Sequence, residues 1–394
     1  MTPSARVQAA IDLLDEIIVS ARDNGAAADV LIARYFKTRR YAGSKDRRAV
    51  RELVFRAIRR AGERPASGRA AMLGLAASDP ELIGMFDGSP HGPARPANDE
   101  AVAEARAAPL WLADRLDPLV GEGELAALLE RAPLDLRVNR LKGSLDDALA
   151  QFPGAVPTPK SPIGLRLPEG SQVEESAAWL AGLVEVQDEG SQLLCLGCDA
   201  KPGMLAVDLC AGAGGKTLAL AAEMAGEGRI VASDADRARL SRLAPRQARA
   251  GIAMIETRLL DPNKEAAALA DLAGQADIVL VDAPCSGTGT WRRNPETRWR
   301  LTPERLARLV DLQAHLLDVA AELVRPGGHL VYAVCSLLTE EGRGQAEAFG
   351  ARRSAWVAEP PAIDAGRPSG PGLLLTPGHD GTDGFFVARW RRPC

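Results

Sequence analysis

Short continuous apolar runs alternate with helical stretches from about residue 186 to the end of this chain. The runs are candidate strands and lie at residues 206–209, 229–233, 254–259, 278–281, 330–334 and 385–388. Strands that are apolar on both faces are typical of a mostly parallel sheet that is covered by helices on both sides. The pattern therefore predicts an α/β fold for residues 186–394.

The residues before this sheet have a different texture. Apolar residues recur at three- and four-residue spacing over residues 5–75, which predicts an all-α domain at residues 1–87. A cluster of glycine and proline at residues 88–96 predicts a linker at residues 88–99. Residues 100–185 mix short helical stretches with strand-like runs, so we expect a small α+β domain there. The length of 394 residues allows each domain its own core.

Charge is distributed unevenly along the chain, although the formal net charge is only −4. Residues 34–60 contain eleven Arg and Lys residues and only two acids, Asp46 and Glu52. A stretch of this kind is either a solvated helical face or a surface for a phosphate backbone, and the sequence leaves both open. No apolar run approaches the roughly 18–20 residues that span a bilayer, so we expect no membrane association.

The six cysteines are too few and too scattered for a disulfide framework, which predicts a reducing, cytoplasmic environment. Cys195 and Cys198 have the spacing of zinc ligands, but no second Cys or His pair accompanies them. We therefore expect no metal, and we expect a monomer.

A glycine-rich loop follows the first apolar run and opens a helix. It comprises Cys210, Ala211, Gly212, Ala213, Gly214, Gly215 and Lys216, with Thr217 next. Glycines let the backbone approach a ligand, and a helix N-terminus offers free N–H groups. A phosphate-binding P-loop would need glycine at position 210, and a dinucleotide fingerprint would need glycine at position 217. The loop instead predicts S-adenosylmethionine, a nucleoside cofactor without phosphate.

Acidic residues follow the next three strand candidates in order. Asp234 lies about 20 residues beyond the loop, where a carboxylate accepts hydrogen bonds from ribose hydroxyls. Asp261 is placed to bind the adenine amino group, and Asp282 ends the fourth run. Helix capping by Asp234 and a turn at Asp261-Pro262 are the alternatives. The ordered series favours a nucleoside cofactor.

Two cysteines stand at the ends of strand candidates. Cys285 follows in the string Asp282-Ala283-Pro284-Cys285-Ser286-Gly287, and Cys335 in Tyr332-Ala333-Val334-Cys335-Ser336. A free cysteine is often a small buried hydrophobe. The ends of strands in α/β proteins are also where ligand sites assemble, so paired sulfur chemistry on one substrate is the second interpretation.

These strings, together with residues 186–192 and 381–386, resemble the RsmB/Sun-type RNA cytosine-5 methyltransferases over residues 130–394. The helical N-terminus with its basic stretch resembles the NusB-like RNA-binding domain of the bacterial rRNA branch. Two positions depart from the family pattern: Val334 stands where the family usually has Thr, and Arg246-Gln247-Ala248-Arg249 stands where the family often has an Asn.

The resemblance implies a class I methyltransferase with a Rossmann-like sheet, which methylates carbon 5 of a cytosine in RNA, with small-subunit rRNA as the expected substrate. Alternatives are the same chemistry on tRNA or DNA, and a non-catalytic ribosome-assembly factor. The resemblance makes Cys335 the nucleophile that adds to carbon 6, and Cys285 the residue that releases the product. The residues alone leave this order open, because a Pro-Cys thiol attacks in DNA cytosine methyltransferases.

Two charged residues complete the predicted catalytic set. Lys216 is a candidate for activating a thiol, although its side chain is equally suited to face the cofactor. Asp282 is placed to hold ring nitrogen 3 of the base, or else it caps a turn. Residues 288–295 are expected to face RNA, with Arg292 and Arg293 on phosphates; Trp291 either stacks on a base or packs inside the protein.

Overall fold

A computed structural model describes all 394 residues, Met1 to Cys394. The chain folds into two compact units. The first consists of Met1–Leu116, Gly121–Arg131 and Thr290–Pro303, and the second of Asp117–Val120, Ala132–Gly289 and Glu304–Cys394. No helix combines the length and the apolar character that crossing a membrane requires. The domain boundaries expected at residues 88–99 and 185 stay predictions.

The first unit is helical. Its helices are α1 (Pro3–Arg22), α2 (Ala28–Thr38), α3 (Ser44–Arg60), α4 (Gly68–Ala76), α5 (Pro80–Ile83), α6 (Leu110–Ala113) and α7 (Glu122–Ala127). Helix α1 begins where the Thr2 hydroxyl accepts a hydrogen bond from the Ala5 amide at 3.2 Å. The three- and four-residue spacing that the sequence showed buries Val7, Leu14 and Ile58 in one core.

Residues 290–303 belong to this helical unit, although they directly follow the Pro-Cys string of the sheet. Trp299 is buried in the helical core, and its indole N–H donates to the Ala61 carbonyl at 2.8 Å. Arg298 donates to the carbonyls of Ile58 and Arg59, so it satisfies acceptors at the end of α3. Trp291 is fully buried.

The predicted RNA-facing role of residues 288–295 needs correction at Trp291 and Arg292, and it stays a prediction for the half-buried Arg293 and the exposed Asn294. Trp291 packs inside the protein, which was the second of the two alternatives, and Arg292 is buried as well. A tryptophan with no exposed surface is not available to stack on a base.

The second unit begins with a small antiparallel sheet. Its elements are β1 (Leu134–Val138), α8 (Leu145–Leu149), β2 (Val156–Pro157), β3 (Gly164–Leu167), α9 (Ala177–Leu180) and β4 (Val184–Val186). The strand order is β2-β3-β1-β4, and Leu136 of β1 pairs with Leu165 of β3. Both leucines are buried in the core of this sheet, beside Val184.

The large sheet of the second unit has nine strands. Its elements are α10 (Glu189–Gly197), β5 (Leu205–Asp208), α11 (Gly215–Glu223), β6 (Arg229–Asp234), α12 (Arg237–Leu240), α13 (Leu243–Ala250), β7 (Ile255–Leu259), α14 (Glu265–Ala268), β8 (Ala276–Asp282), α15 (Pro303–Leu323), β9 (Val324–Val334), α16 (Arg343–Arg352), β10 (Val357–Glu359), β11 (Arg367–Ser369), β12 (Gly372–Leu375), α17 (Pro377–Asp380) and β13 (Phe385–Arg391). The order is β11-β12-β13-β9-β8-β5-β6-β7, with β10 beside β13.

Strands β5 to β9 of this sheet are parallel, and β13 joins β9 in the antiparallel direction. The chain leaves β5 toward β6 and β7, then returns to build β8 and β9 on the other side. Ligands bind outside the carboxyl ends of the strands at such a switch point. The predicted α/β sheet is confirmed, and its topology places the glycine loop and both cysteine strings at one edge.

Candidate active site

The glycine-rich loop leaves the end of β5 and is tied to β6. Its Ala211 amide donates to the Ser233 carbonyl at 2.9 Å, and its Gly212 amide donates to Asp234 Oδ2 at 2.7 Å. Gly214 has a φ of +83°, and a Cβ atom there would clash with the side chain of Leu243. Glycine is therefore required at this position. No side chain caps α11, so its first-turn amides remain available to a ligand.

Asp208, the last residue of β5, is a site residue that the sequence analysis missed. Its carboxylate is fully buried, and Oδ2 accepts a hydrogen bond from the Thr217 hydroxyl at 2.7 Å. Burial raises the pKa of Asp208 to about 7, and its Oδ1 atom has no partner. An acid two residues before the glycine loop was the signal in the sequence. The unpartnered oxygen suits a cationic amino group, and the free amides of α11 suit a carboxylate, so this edge fits the amino-acid end of S-adenosylmethionine.

Of the two acids predicted to bind the nucleoside, Asp234 is buried and Asp261 is exposed. Asp234 is buried, and its two oxygens accept hydrogen bonds from the amides of Gly212 and Asp236, both at 2.7 Å. The capping of α12 falls to Asp236, so the capping alternative for Asp234 is wrong. Asp261 is exposed after β7. The roles of both acids toward ribose and adenine stay predictions.

Arg246, in the string that departs from the family pattern at residues 246–249, contacts the glycine loop. It donates to the Ala213 carbonyl at 2.6 Å and to the carboxylate of Glu185 in β4 at 2.9 Å. Arg249 pairs with the same carboxylate. Arg246 therefore joins the cofactor loop to the small sheet.

Lys216 and Asp282 form an ion pair, with Nζ 2.6 Å from Oδ2. Burial alone would lower the pKa of Lys216, but the charge of Asp282 and its hydrogen bond, with the neighbouring sulfur atoms, outweigh burial and raise this pKa above its usual range. Lys216 is thus an ammonium ion across the physiological pH range. The pair brings together two predicted catalytic residues, one from α11 and one from β8.

The two predicted catalytic cysteines face each other. Cys285 Sγ lies 3.3 Å from Cys335 Sγ, and a 3.0 Å hydrogen bond from the Gly289 amide to the Cys335 carbonyl joins their segments. The hydrogen bond to Cys335, burial, and the negative charges of Cys335 and Glu341 raise the pKa of the Cys285 thiol well above its usual value. Val334, which stands where the family usually has Thr, is fully buried beside this pair.

Cys195 and Cys198, which have the spacing of zinc ligands, are structural residues of the core. Cys195 and Cys198 are buried in α10 and just beyond it, and burial raises the pKa of Cys195 to about 12. Neither cysteine lies in a group of side chains that would hold a metal ion.

Comparison with known proteins gives the class and then the family. A family model described as 16S rRNA methyltransferase RsmB/F matches residues 198–391. Ribosomal RNA small subunit methyltransferase B of Salmonella typhi is 35% identical over 302 residues, which are 74% of this chain and 68% of that protein.

Solved structures agree on the fold. The crystal structure of PH0851 superposes over the full length of both chains with a TM-score of 0.79 at 23% identity. A methyltransferase homolog from Pyrococcus horikoshii gives a TM-score of 0.63 at 28% identity, over 72% of this chain and 94% of that one.

The fold and the cofactor edge define an S-adenosylmethionine-dependent methyltransferase with a Rossmann-like sheet. The chain belongs to the RsmB/F family of rRNA methyltransferases. The predicted family, fold class and cofactor are thereby confirmed. The NusB-like character of the helical domain stays a prediction.

Proposed function

We propose that this protein transfers the methyl group of S-adenosylmethionine to carbon 5 of a cytosine in 16S rRNA, through a covalent adduct with Cys335. The observation that carries the proposal is the 3.3 Å separation of the two cysteine sulfurs, at the ends of adjacent parallel strands. A protein that only binds RNA has no need of two facing thiols beside a cofactor edge. The names of the relatives favour rRNA over tRNA.

The first step is addition of the Cys335 thiolate to carbon 6 of the base. Carbon 5 of cytosine is a poor nucleophile, and thiolate addition makes it enamine-like. The ammonium group of Lys216 interacts favourably with negative charge on Cys335. Cys285 keeps its proton at this stage and donates it in the hydrogen bond to Cys335.

Bound S-adenosylmethionine supplies the electrophilic methyl group. Once Cys335 is a thioether, it has neither the charge nor the hydrogen bond that raised the pKa of Cys285. Cys285 then releases its proton to solvent and, as a thiolate, takes the proton from carbon 5. The Cys335 sulfur leaves with the bonding electron pair, and the site returns to one thiol and one thiolate.

Asp282 holds the base edge in this proposal. Its Oδ2 atom is engaged with Lys216, so its Oδ1 atom is left to accept a hydrogen bond from the base at or beside ring nitrogen 3. Negative charge builds on the ring as the thiolate adds; a proton from solvent neutralises it at nitrogen 3, is held there by its hydrogen bond to Asp282 Oδ1, and returns to solvent when the Cys335 sulfur leaves. A protonated Asp282 would first have to give up its ion pair with Lys216.

The basic stretch of the helical unit is the proposed RNA surface. Arg34, Lys37, Arg40, Lys45 and Arg48 are exposed without an ion-pair partner, and Tyr41 among them is 73% exposed. Arg51 and Arg56 are already paired with Asp29 and Asp79. Unpaired exposed cations suit phosphates.

We further propose that the enzyme is a monomer and needs no metal. It works in the cytoplasm, where its six free cysteines remain reduced.

Trapping the adduct tests the proposed roles. Cys285→Ala, incubated with S-adenosylmethionine and a 16S rRNA fragment, should give a protein–RNA adduct that survives a denaturing gel. The double variant Cys285→Ala with Cys335→Ala should give none. An adduct trapped by Cys335→Ala alone would reverse the roles. Unchanged methylation in both single variants would overturn the two-thiol mechanism.

A further inference from the structure

A buried carboxylate lies beneath the thiol pair, and the sequence analysis did not single it out. Glu341, six residues after Cys335, is fully buried. No cation is paired with it: its Oε1 atom accepts hydrogen bonds from the Ser286 amide at 2.8 Å and from the Gln313 amide group at 3.0 Å. Its Oε2 atom accepts from the hydroxyls of Ser286 and Ser336. Four donors directed at two oxygens are the pattern of a carboxylate, which only accepts.

Three of these four donors belong to the residues that directly follow the two cysteines. Ser286 follows Cys285, and Ser336 follows Cys335. The two serine hydroxyls lie 3.1 Å apart, and Ser336 donates to Glu341 at 2.6 Å. Thr288 adds a further link, because its hydroxyl accepts from the Leu337 amide at 2.8 Å.

The Glu341 segment is itself fixed to the sheet. The hydroxyl of Tyr332, in β9, donates to the Glu341 carbonyl at 2.6 Å. Gln313, from α15, reaches both the Pro284 carbonyl at 2.9 Å and Glu341. The carboxylate is therefore a single acceptor held by β9 and α15, to which both cysteine segments are attached.

We propose that Glu341 is a positioning residue for methyl transfer, whose carboxylate binds the serine after each cysteine and so fixes the separation and orientation of the two thiols. The inference rests on the proposed roles of Cys285 and Cys335. The negative charge of Glu341 also acts on the Cys285 thiol directly. Glu341 is one of the groups that raise the pKa of Cys285, after Cys335 and burial, so it helps to keep the proton on Cys285.

Glu341→Gln tests this inference, because the amide keeps the size of the side chain but loses its charge and half of its acceptor capacity. Glu347→Gln is the matched control, since Glu347 is an exposed glutamate in α16. We expect kcat for rRNA methylation to fall roughly 10- to 100-fold in Glu341→Gln through misplacement of the thiols. The KM for RNA and the affinity for S-adenosylmethionine should stay within about twofold of the control, as neither ligand is contacted by the substituted side chain.

A second readout separates positioning from simple support of the fold. Peptide mass spectrometry measures the rate of iodoacetamide alkylation of Cys285 at a series of pH values. The increase of this rate with pH should begin at a lower pH in Glu341→Gln than in the control. A merely structural role would leave this profile unmoved. If Glu341→Gln does not fold, it will also lose its affinity for S-adenosylmethionine. In that case Ser286→Ala and Ser336→Ala replace it. Each removes one link, and each should lower kcat without changing cofactor affinity.

The outcomes are distinguishable from failure of the proposed function. If Cys285→Ala traps the RNA adduct while Glu341→Gln matches Glu347→Gln in kcat and in alkylation, the positioning role is wrong and the two-thiol mechanism stands. If Cys285→Ala traps nothing and methylates normally, the mechanism is wrong, and the role of Glu341 falls with it.

Discussion

The sulfur atoms of Cys285 and Cys335 lie 3.3 Å apart, although 50 residues separate them along the chain. The hydrogen bond between the two thiols, together with burial, raises the pKa of the Cys285 thiol well above its usual value. Adjacent parallel strands bring the thiols together, since Asp282 of β8 is in register with Ala333 of β9. In the proposed mechanism, this raised pKa keeps the proton on Cys285 while Cys335 attacks the base.

Oxidation should join these two thiols directly. Diamide takes two electrons and two protons from a thiol pair and becomes a hydrazine, while one S–S bond forms. Peptide mapping after diamide should show Cys285 linked to Cys335, with methylation lost and then restored by dithiothreitol. Cys335→Ala should show no such link. Linkage of either thiol to Cys195 or Cys210 instead would contradict the facing arrangement.

Loss of the Lys216 charge should destabilise the protein and reduce its activity. Lys216→Met leaves Asp282 without its partner, which costs roughly 3 kcal/mol in the free energy of unfolding for a largely buried pair. The folded pKa of Lys216 is raised above its ordinary 10.5, so the stabilisation is fully present below pH 10.5 and is lost only as the pH rises through the folded value.

Denaturant unfolding of Lys216→Met and wild type at pH 7 and pH 9 checks this prediction. The difference in unfolding free energy should be the same at both pH values. Lys201→Met is the control, because Lys201 is exposed and pairs with Asp199 at the surface. A difference that shrinks between pH 7 and pH 9 would show that Lys216 titrates there and is not held as an ammonium ion.

The buried carboxyl group of Asp208 should make the stability of the cofactor-free protein depend on pH. Burial raises its pKa from 3.8 to about 7, so the protonated form favours folding, and this contribution is lost as the pH rises from 3.8 to about 7. Asp208→Asn mimics the protonated acid. The melting temperature of Asp208→Asn relative to wild type should therefore increase over that pH range in the absence of cofactor.

The same variant should bind S-adenosylmethionine more weakly, because a neutral amide replaces the acceptor of the cofactor's amino group. Asp311→Asn, which changes an exposed acid of α15 with no assigned role, is the control for stability and for cofactor affinity. Calorimetric titration with S-adenosylmethionine measures the affinity of each variant. Equal affinity of Asp208→Asn and wild type would remove Asp208 from the cofactor site.

The sheet and its cofactor edge could be predicted because their signals are local. Continuous apolar runs mark β5, β6 and β8, and the glycines of residues 210–215 mark the loop whose backbone must turn. The cysteines stand out because both end such runs. Asp208 carries a comparable signal, an acid two residues before the loop, which the sequence analysis did not use.

Other features could not be predicted because they depend on contacts between distant segments. Glu341 lies beside Glu340 in a polar stretch, and only the fold shows which of the two enters the hydroxyl network of Ser286 and Ser336. Likewise, Trp291 and Trp299 follow the Pro-Cys string and gave no hint that they are buried in the helical unit. Burial of a short segment in a remote core leaves no periodic pattern in that segment.

The exposed cations of the helical unit should govern RNA affinity. Arg40, Lys45 and Arg48 have no ion-pair partner, so phosphates compete only with water and salt for them. Replacing the three by alanine should weaken binding of a 16S rRNA fragment and reduce the slope of log affinity against log salt by about two, because each neutralised phosphate of a single strand adds roughly 0.7 to that slope. Arg51→Ala with Arg56→Ala is the control, because both arginines are already paired with acids. Fluorescence anisotropy over a range of salt concentrations measures both quantities. A triple variant with the wild-type slope would show that the basic stretch is a solvated helical face, whereas weaker binding confined to the triple variant would assign it to the RNA backbone.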